Sequence, residues 1–282
     1  MSFEQASEEL RHILASTVED QLVSDVPIGA FLSGGIDSSA VVALMAEAME
    51  SPVLTHCVGF NASNMDERRY AAEVAKHIGT DHRDFLVDID VGAALDNIVW
   101  HMDEPFADAS TIPTYYLCQA ARQRVTVCLS GDGGDELFGG YNWHEQLARF
   151  SRFDDIAPQW LRSSMRGLFA AVPYQYSGAT FLRNIGELPM NRHMQLTSRF
   201  DEAHIYNVVA GGPLEGDVTV RHPLVEGYRN VPSNWDAVKR AQLADMQSYM
   251  VEGILMKVDK MSMAHSLEVR VPMLDHRLVE FA

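Results

Sequence analysis

Two glycine-rich segments carry the side chains best suited to chemistry. Residues 33–39 read Ser-Gly-Gly-Ile-Asp-Ser-Ser, and residues 130–141 read Ser-Gly-Asp-Gly-Gly-Asp-Glu-Leu-Phe-Gly-Gly-Tyr. Glycine permits positive φ and lets backbone N–H groups approach a ligand closely. A carboxylate in such a turn would repel a bare phosphate, but it suits a divalent cation that bridges to one. The pattern therefore predicts a site for a metal-bound phosphate, with Asp37 and Asp135 as the metal carboxylates.

The first of these segments has the surroundings of an anion site. Residues 28–32 form an apolar run of strand length. The residues from Ala40 onward favour a helix, for which Ser38 or Ser39 is the expected N-cap. A strand, a glycine turn and a helix start together direct unpaired N–H groups and the positive end of the helix dipole at a ligand. No lysine follows the glycines and no GxGxxG pattern is present, which excludes a P-loop and a dinucleotide fingerprint.

Two other stretches are polar but carry a weaker signal. Residues 103–113 contain two prolines and several polar side chains, so by themselves they could be an ordinary capped loop. Residues 258–277 are densely charged, which a structural network of ion pairs would also explain, and their histidines, His265 and His276, favour structural roles. An Asp-x-Gly-x-Asp spacing within 130–141 matches part of a calcium loop, but the full spacing of that loop is not met.

The elements that must position these segments alternate along the first half of the chain. An amphipathic helix is predicted over 3–23, and further helices are predicted over 66–78, 90–102 and 114–124. Buried strands are predicted over 28–32, 53–60, 84–87 and 125–129. This order predicts an α/β fold with a mostly parallel sheet flanked by helices. Both glycine-rich segments follow strands, at the carboxyl ends where such sheets bind ligands.

The second half of the chain has a different character. We expect a core domain over 1–150 and a mainly helical remainder over 151–282. A long helix is predicted to begin near Ser233 and to run over 235–256. Five methionines follow a helical spacing and are predicted to fill the core rather than to bind a metal or cofactor: Met246, Met250, Met256, Met261 and Met263.

Composition narrows the choice of compartment and partner. The chain has 282 residues, of which 47% are hydrophobic, and a formal net charge of −17 at pH 7. This charge disfavours nucleic acid as a partner, although four arginines could form a local basic patch: Arg162, Arg166, Arg183 and Arg192. No apolar run has the length of a membrane span, and the N-terminus lacks the features of a signal peptide. Cys57, Cys118 and Cys128 lack metal-ligand spacing and are predicted to be buried thiols of a reducing, cytoplasmic compartment.

In combination, the motifs resemble the synthetase domain of the glutamine-hydrolysing asparagine synthetase family, within the N-type ATP pyrophosphatase superfamily. The resemblance runs from about residue 5 to the end of the chain. It is carried by residues 33–39, by residues 130–141 and by Met-Ser-Met-Ala-His-Ser-Leu-Glu-Val-Arg-Val-Pro-Met-Leu-Asp-His-Arg-Leu-Val-Glu-Phe-Ala at 261–282. It implies an adenine nucleotide alpha hydrolase-like (PP-loop) fold, with a parallel five-stranded sheet flanked by helices, and the use of ATP and Mg²⁺.

The resemblance also implies roles by position. Asp37 and Asp135 match the carboxylates that hold Mg²⁺ and pyrophosphate, and Asp132 falls beside the acyl-adenylate, so these three form the expected catalytic set. The residues expected to bind ATP, in addition to Asp37, are Phe31, Leu32, Ser33, Gly34, Gly35, Ser38, Ser39, Val58, Ser130 and Gly131.

The sequence departs from the family pattern in several places. Phe31 replaces a more usual aliphatic residue, Asp132 is shorter than the glutamate of the bacterial enzyme, and 103–113 lacks an arginine that this enzyme has in that region. The family's glutaminase domain begins with a cysteine after the initiator methionine, whereas Ser2 stands here. The family also carries a lysine in a segment closer to its C-terminus. No residue of this sequence matches it, because Lys257 and Lys260 stand at different positions of the family pattern. We therefore expect a fragment of a larger protein that is weak or inactive alone.

The function that the resemblance implies is ATP-dependent amide formation. The side-chain carboxylate of aspartate would attack the α-phosphate of ATP, and ammonia from glutamine would then give asparagine, AMP and pyrophosphate. One alternative keeps the adenylation but changes the acid, as in a β-lactam-synthetase-like cyclase or an amidotransferase of cell-envelope or polysaccharide biosynthesis. Another is a module that only binds ATP. The expected partners are small molecules, without nucleic acid or membrane, and the resemblance is compatible with a homodimer.

Overall fold

The central element of the fold is a parallel sheet, as the sequence predicts. The computed structural model describes residues 1–60, 66–87, 91–169, 172, 178–198, 223–229 and 231–282. The sheet has five strands in the order β3-β2-β1-β4-β5, and every neighbouring pair is parallel. The strands are β1 (Ile28–Phe31), β2 (Leu54–Phe60), β3 (Asp81–Val87), β4 (Val127–Leu129) and β5 (Glu268–Arg270).

The sheet lies in the first of two compact units, which comprises Met1–Leu137 and Glu252–Ala282. Its helices are α1 (Phe3–Gln21), α2 (Ile36–Ala48), α3 (Arg68–Ile78), α4 (Val91–Met102), α5 (Thr111–Ala121), α6 (Gly134–Phe138), and near the end of the chain α13 (Met256–Met263) and α14 (His276–Phe281). The apolar residues of α1 and α2 are buried as their spacing requires: Val18, Val42 and Met45 are all fully buried. All three cysteines are free and buried, as predicted.

Strand β5 has no counterpart among the strands located from the sequence. It is only three residues long, and its outer residues are charged, so it lacks the apolar run that marks β1 or β4. It pairs with β4 through Val127 and Glu268. Arg270 stabilises the connection, since its guanidinium group donates to the carbonyls of Gln21 and Val23 at 2.6 and 2.8 Å. The charges of this region thus form a structural network around the last strand.

The long helix predicted over 235–256 is interrupted. Asp236 caps α12 (Ala237–Gln247) by accepting from the N–H groups of Val238 and Lys239. Ser248 then leaves helical geometry, with φ −135° and ψ −81°, and a π-helix over Met250–Leu255 leads into α13. Within α13, Met261 and Met263 are two residues apart, so their side chains point to nearly opposite sides of the helix. The prediction of a methionine core stripe is therefore wrong in part: Met261 is fully buried, but Met263 is 58% exposed.

The second unit, Phe138–Val251, is helical in its described parts. Its helices are α7 (Asn142–Ile156), α8 (Gln159–Phe169), α9 (Ala179–Asn184), α10 (Pro189–Thr197), α11 (Pro223–Gly227) and α12. A fully buried carboxylate, Asp245, joins several of them. It accepts from Trp143 Nε1 at 3.1 Å and pairs with the imidazoles of His144 and His193 at 2.9 and 3.1 Å. Burial raises the pKa of Asp245, but these hydrogen bonds outweigh burial and the pKa lies below its usual value.

Three of the four arginines that could form a basic patch are paired with carboxylates within this unit. Arg192 is fully buried and pairs with Asp154 at 3.0 Å, and Arg162 approaches the same carboxylate at 3.4 Å. Arg166 pairs with Glu187 at 2.9 Å. Their charges are met by carboxylates inside the unit, because a guanidinium group that is taken out of water requires a partner.

None of the described helices combines the length and the apolar character that crossing a lipid bilayer requires.

A buried histidine in the sheet gives a test of the fold. His56 on β2 is fully buried, and burial, helped by the guanidinium group of Arg124, lowers its pKa to about 4. The unfolded chain binds a proton here below about pH 6.5, but the folded protein does not, so acid favours unfolding. We expect His56→Phe to lose less stability than the parent on acidification, by about 2 kcal/mol at about pH 5, because each pKa unit corresponds to about 1.4 kcal/mol.

Chemical denaturation at about pH 7.5 and about pH 5 measures this difference. The same substitution at His12, which is exposed on α1, is the matched control and should follow the parent at both pH values. Parallel losses in the parent and His56→Phe would contradict the assignment of His56 as a neutral buried imidazole.

Candidate active site

The loop after β1 is a compact turn built on its own serines. Ser33 Oγ accepts from the N–H of Gly35 at 3.1 Å and lies 3.0 Å from Ser38 Oγ. Gly34 has φ +84°, and a Cβ there would lie 2.6 Å from the backbone carbon of Tyr70. Glycine is therefore required at position 34 by its conformation and by the close packing of α3.

The expected N-cap of α2 is wrong. The helix begins at Ile36, and the cap position is Gly35, whose extended backbone has no side chain to accept a hydrogen bond. Ser38 lies inside the first turn, and its hydroxyl group turns back to the carbonyl of Gly35 at 3.3 Å. The earlier start places Asp37 in the first turn, where the helix dipole favours a negative charge. The buried hydroxyl of Ser39 has no hydrogen-bond partner among the described residues.

The loop after β4 reaches the same place. Strands β1 and β4 are parallel neighbours, so their carboxyl ends meet at one edge of the sheet. A Cβ on Gly131 would lie 2.6 Å from the backbone nitrogen of Ser38, and one on Gly134 would lie 2.6 Å from Asp37 Oδ2. The two glycine-rich loops are thus in direct contact, and at Gly131 the neighbouring backbone leaves no room for a side chain.

The acidic side chains of these loops interact electrostatically. Burial raises the pKa of Asp37, and the nearby charges of Asp135 and Asp132 raise it further. The structure therefore brings together the two carboxylates that the sequence predicts as metal ligands. The described part of the chain has no group of three or more His, Cys, Asp or Glu side chains arranged around a metal position. Two carboxylates that repel each other still fit a divalent cation whose other ligands are phosphate oxygens and water.

The third predicted catalytic residue is held by its own loop. Asp132 is hydrogen-bonded to the hydroxyl of Ser130, and its N–H donates to that hydroxyl at 3.1 Å. Ser130 is buried, and its N–H donates to the carbonyl of Arg270 on β5 at 2.9 Å. The last strand of the sheet, which the sequence did not locate, therefore fixes the start of the acidic loop.

The residues expected around adenosine lie on strands β1, β2 and β4 or directly after them. Phe31 packs against the buried cluster of Cys118 and Ala121 on α5, and Val58 is half-buried on β2. Leu32 has a side chain that is 1% exposed, so only its backbone is available to a ligand. Gly131 is half-buried at the junction of the two loops.

Sequence reasoning missed the residues that support these loops. Leu274 packs against Gly133, and the start of α3 packs against Gly34. Lys257, on α13, contacts Asp108 and Ser110 of the 103–113 segment. The conformational demand on the glycines could be predicted from the sequence, but these long-range contacts, of which the pair Lys257–Asp108 spans 149 residues, could not.

The parallel sheet flanked by helices, with two acidic, glycine-rich loops together at its carboxyl edge, is a PP-loop-like α/β fold. Comparison with known proteins then gives the family. A family model described as asparagine synthase matches residues 9–282, and the chain belongs to that family.

Three relatives illustrate the similarity. A Mycobacterium tuberculosis protein provisionally named asparagine synthetase (glutamine-hydrolyzing) is 36% identical over 270 residues, which are 95% of this chain and 40% of the relative. Asparagine synthetase (glutamine-hydrolyzing) 1 of Bacillus subtilis is 34% identical over 97% of the chain and 43% of its own length. "Amidase chry2" of Gibberella zeae is 25% identical over 99% of the chain and 46% of its own length. The chain thus spans about two fifths of the length of the synthetases it matches.

The charge cluster gives a test of the site. The pKa of Asp37 lies above its unfolded value, so its charge destabilises the folded protein at neutral pH, and this penalty disappears below about pH 3.9, where both states are protonated. We expect Asp37→Asn to raise the melting temperature at neutral pH without Mg²⁺ by about 2–4 °C, the shift that about 1 kcal/mol produces in a domain of this size.

Thermal unfolding followed by circular dichroism measures the shift, and Asp96→Asn at an exposed position of α4 is the control. The gain from Asp37→Asn should shrink as the pH falls towards about 4. A midpoint that is equal to or below that of the parent at neutral pH would show that Asp37 is stabilised, not strained, by its neighbours.

Proposed function

We propose that the protein containing this chain is an ATP-dependent amide-forming ligase. It activates a carboxylic acid by adenylation, releases pyrophosphate, and passes the acyl group to ammonia, which displaces AMP. The acid that the family supports best is aspartate, activated at its side-chain carboxylate, so that the product is asparagine.

One observation carries this proposal: the contact between the loops of Asp37 and Asp135 at the carboxyl edge of β1 and β4. A nucleotide triphosphate at this edge would meet the N–H groups of residues 34–38 and the positive end of the α2 dipole. The charges of Asp135 and Asp132 both raise the pKa of Asp37, so a negative charge on Asp37 is disfavoured in the absence of a cation. Unfavourable charge clusters of this kind are typical of functional sites.

The residues of the two loops have different electrostatic roles in the proposed reaction. Asp37 and Asp135 would hold Mg²⁺, which when bound offsets the negative charge of the phosphates. Ser33, Ser38 and the backbone of Gly34 would take up charge that develops on the departing diphosphate. Because these groups are fixed by hydrogen bonds within the loop, they need little rearrangement during the reaction. In-line placement of the carboxylate supplies the remaining acceleration through proximity.

Asp132 is the proposed neighbour of the acyl-adenylate. Its hydrogen bond from the Ser130 hydroxyl fixes the orientation of its carboxylate beside the contact between the two loops. The proposed adenosine contacts are Phe31, Val58, Gly131, and the backbones of Leu32 and Ser130. Ser39, with its unpartnered buried hydroxyl, completes the phosphate loop.

The proposed function also indicates the partners and the compartment of the protein. The substrates are small molecules, and ammonia would come from glutamine hydrolysed in another part of the protein, as the names of the relatives indicate for them. The buried free thiols support a reducing compartment, and we propose the cytoplasm. A homodimer is compatible with this function.

A second candidate changes only the acid. It is favoured by the similarity to "Amidase chry2" and by the 103–113 segment, where Asp108 is paired with Lys257 and no arginine is present. A different acid would react at the same phosphate site but would need a different binding surface for the rest of the molecule. The enzyme would then be a related amidotransferase or a cyclase.

Acid-dependent exchange of labelled pyrophosphate into ATP tests the proposal on the full-length protein. We expect aspartate to support exchange in the presence of Mg²⁺, and Asp135→Asn to reduce it by at least about a hundredfold, because a metal carboxylate within a charged site contributes several kcal/mol to the transition state. Asp96→Asn is the matched control and should retain exchange.

The pyrophosphate-exchange assay distinguishes between the candidate functions. Exchange with another carboxylic acid and none with aspartate would replace the first candidate by the second. Exchange with no acid, together with ATP binding that is unchanged in Asp37→Ala and Asp135→Ala with and without Mg²⁺, would leave a nucleotide-binding module and overturn the proposed function.

A further inference from the structure

A buried lysine in the sheet unit joins two segments that are far apart in the sequence. Lys257 lies in the first turn of α13, and its side chain is only 9% exposed. Its ammonium group donates to Ser110 Oγ at 2.7 Å and to Asp108 Oδ2 at 3.3 Å. Lysine is rarely buried unless it is paired. The ammonium group and the turn at 108–110 therefore depend on each other.

The remaining hydrogen bonds of this turn are local. The N–H of Ser110 donates to Asp108 Oδ1 at 2.9 Å, and Thr111 Oγ1 donates to the Asp108 carbonyl at 2.7 Å. Burial raises the pKa of Asp108, but the hydrogen bonds from Ser110 and the ammonium group of Lys257 outweigh burial and hold it below its usual value. The carboxylate is thus ionised, with one oxygen engaged by its own turn and the other by α13.

Apolar packing fixes the helices below the turn. Met102 of α4 and Met261 of α13 are buried together, and Phe106, Ile112 and Tyr115 pack against them. Such packing is not directional, so it anchors α5 and α13 without setting the path of the chain at 108–110. The ion pair with Lys257 is directional, and it sets the path of the chain at 108–110.

Topology places the ion pair at the edge of the candidate site. Helix α5 leads into β4 and helix α13 leads into β5 through short connections. Because a helix that feeds a parallel strand runs antiparallel to it, both helices begin on the side of the carboxyl edge. This is the edge at which the loops of Asp37 and Asp135 meet. Residues 103–113 and the first turn of α13 therefore border the same rim.

We propose that Lys257 is a positioning residue for the acceptor acid. Through Asp108 and Ser110 it holds residues 103–113 as the wall that contacts the part of the acid that does not react. Lys257 itself does not touch the reacting atoms. This inference rests on the proposed function, which it deepens by assigning the acid side of the site, opposite the phosphate side formed by residues 33–39.

Substitution of Lys257 in the full-length protein tests the assignment. We expect Lys257→Met to raise the KM for the acid by about 10-fold or more, since a hydrogen bond to a charged group contributes about 1.5–3 kcal/mol. The KM for ATP should stay within about twofold of the parent. Lys257→Arg, which keeps the charge, should recover most of the loss, and Asp108→Asn should reproduce the acid-specific defect. Lys76→Met, at an exposed position of α3, is the matched control.

Amide hydrogen exchange of the unliganded protein provides a readout that does not depend on turnover. Lys257→Met should increase exchange at residues 108–114 and leave residues 33–39 unchanged, because the tether acts on one segment only. Unchanged exchange at 108–114, or a loss of acid and ATP affinity in equal measure, would overturn the positioning role.

Failure of the proposed function would give a different experimental result from failure of the positioning role of Lys257. If no acid supported pyrophosphate exchange in the parent protein, the proposed function and the acid side of this inference would both be overturned. The tethering of 103–113 by Lys257 would still be decided by hydrogen exchange. An acid-specific KM effect, in contrast, supports both.

Discussion

The site depends on one packing constraint: the loop after β4 must lie directly on the start of α2. Gly131 lies against the backbone of Ser38 and has no room for a side chain, and Gly134 lies against the carboxyl group of Asp37, which a side chain at 134 would displace. The constraint originates in the sheet, where β1 and β4 are parallel neighbours. Everything else at the rim supports this contact.

The contact brings like charges together, and the fold compensates for their repulsion nearby. Burial and the charges of Asp135 and Asp132 all disfavour ionisation of Asp37. Hydrogen bonds hold each loop in place: the serines of residues 33–38 bond to one another, and Ser130 bonds to β5. A cation bound between the carboxylates would relieve their repulsion. This is the physical reason to interpret the rim as a site for a metal-bound polyphosphate.

The sequence predicted those parts of the molecule that are encoded locally. Apolar runs marked β1, β2 and β4, and the glycine-rich segments marked the loops that follow β1 and β4. Strand β5 was missed because it is three residues long and two of these are charged, so that only its pairing with β4 makes it a strand. The break at Ser248 and the pairing of Lys257 with Asp108 were missed for a related reason. Both depend on contacts that are distant in the sequence, whereas periodicity reports only on neighbours along the chain.

The central claim is that Asp37 and Asp135 act together on one cation. A double-mutant cycle tests it most directly, with Asp37→Asn, Asp135→Asn and the double variant, and with calorimetric ATP binding measured with and without Mg²⁺. If the two carboxylates share the ion, each single substitution removes most of the Mg²⁺-dependent affinity, and the double variant is little worse than either. Losses that simply add, or binding that is indifferent to Mg²⁺ in the parent protein, would contradict the claim.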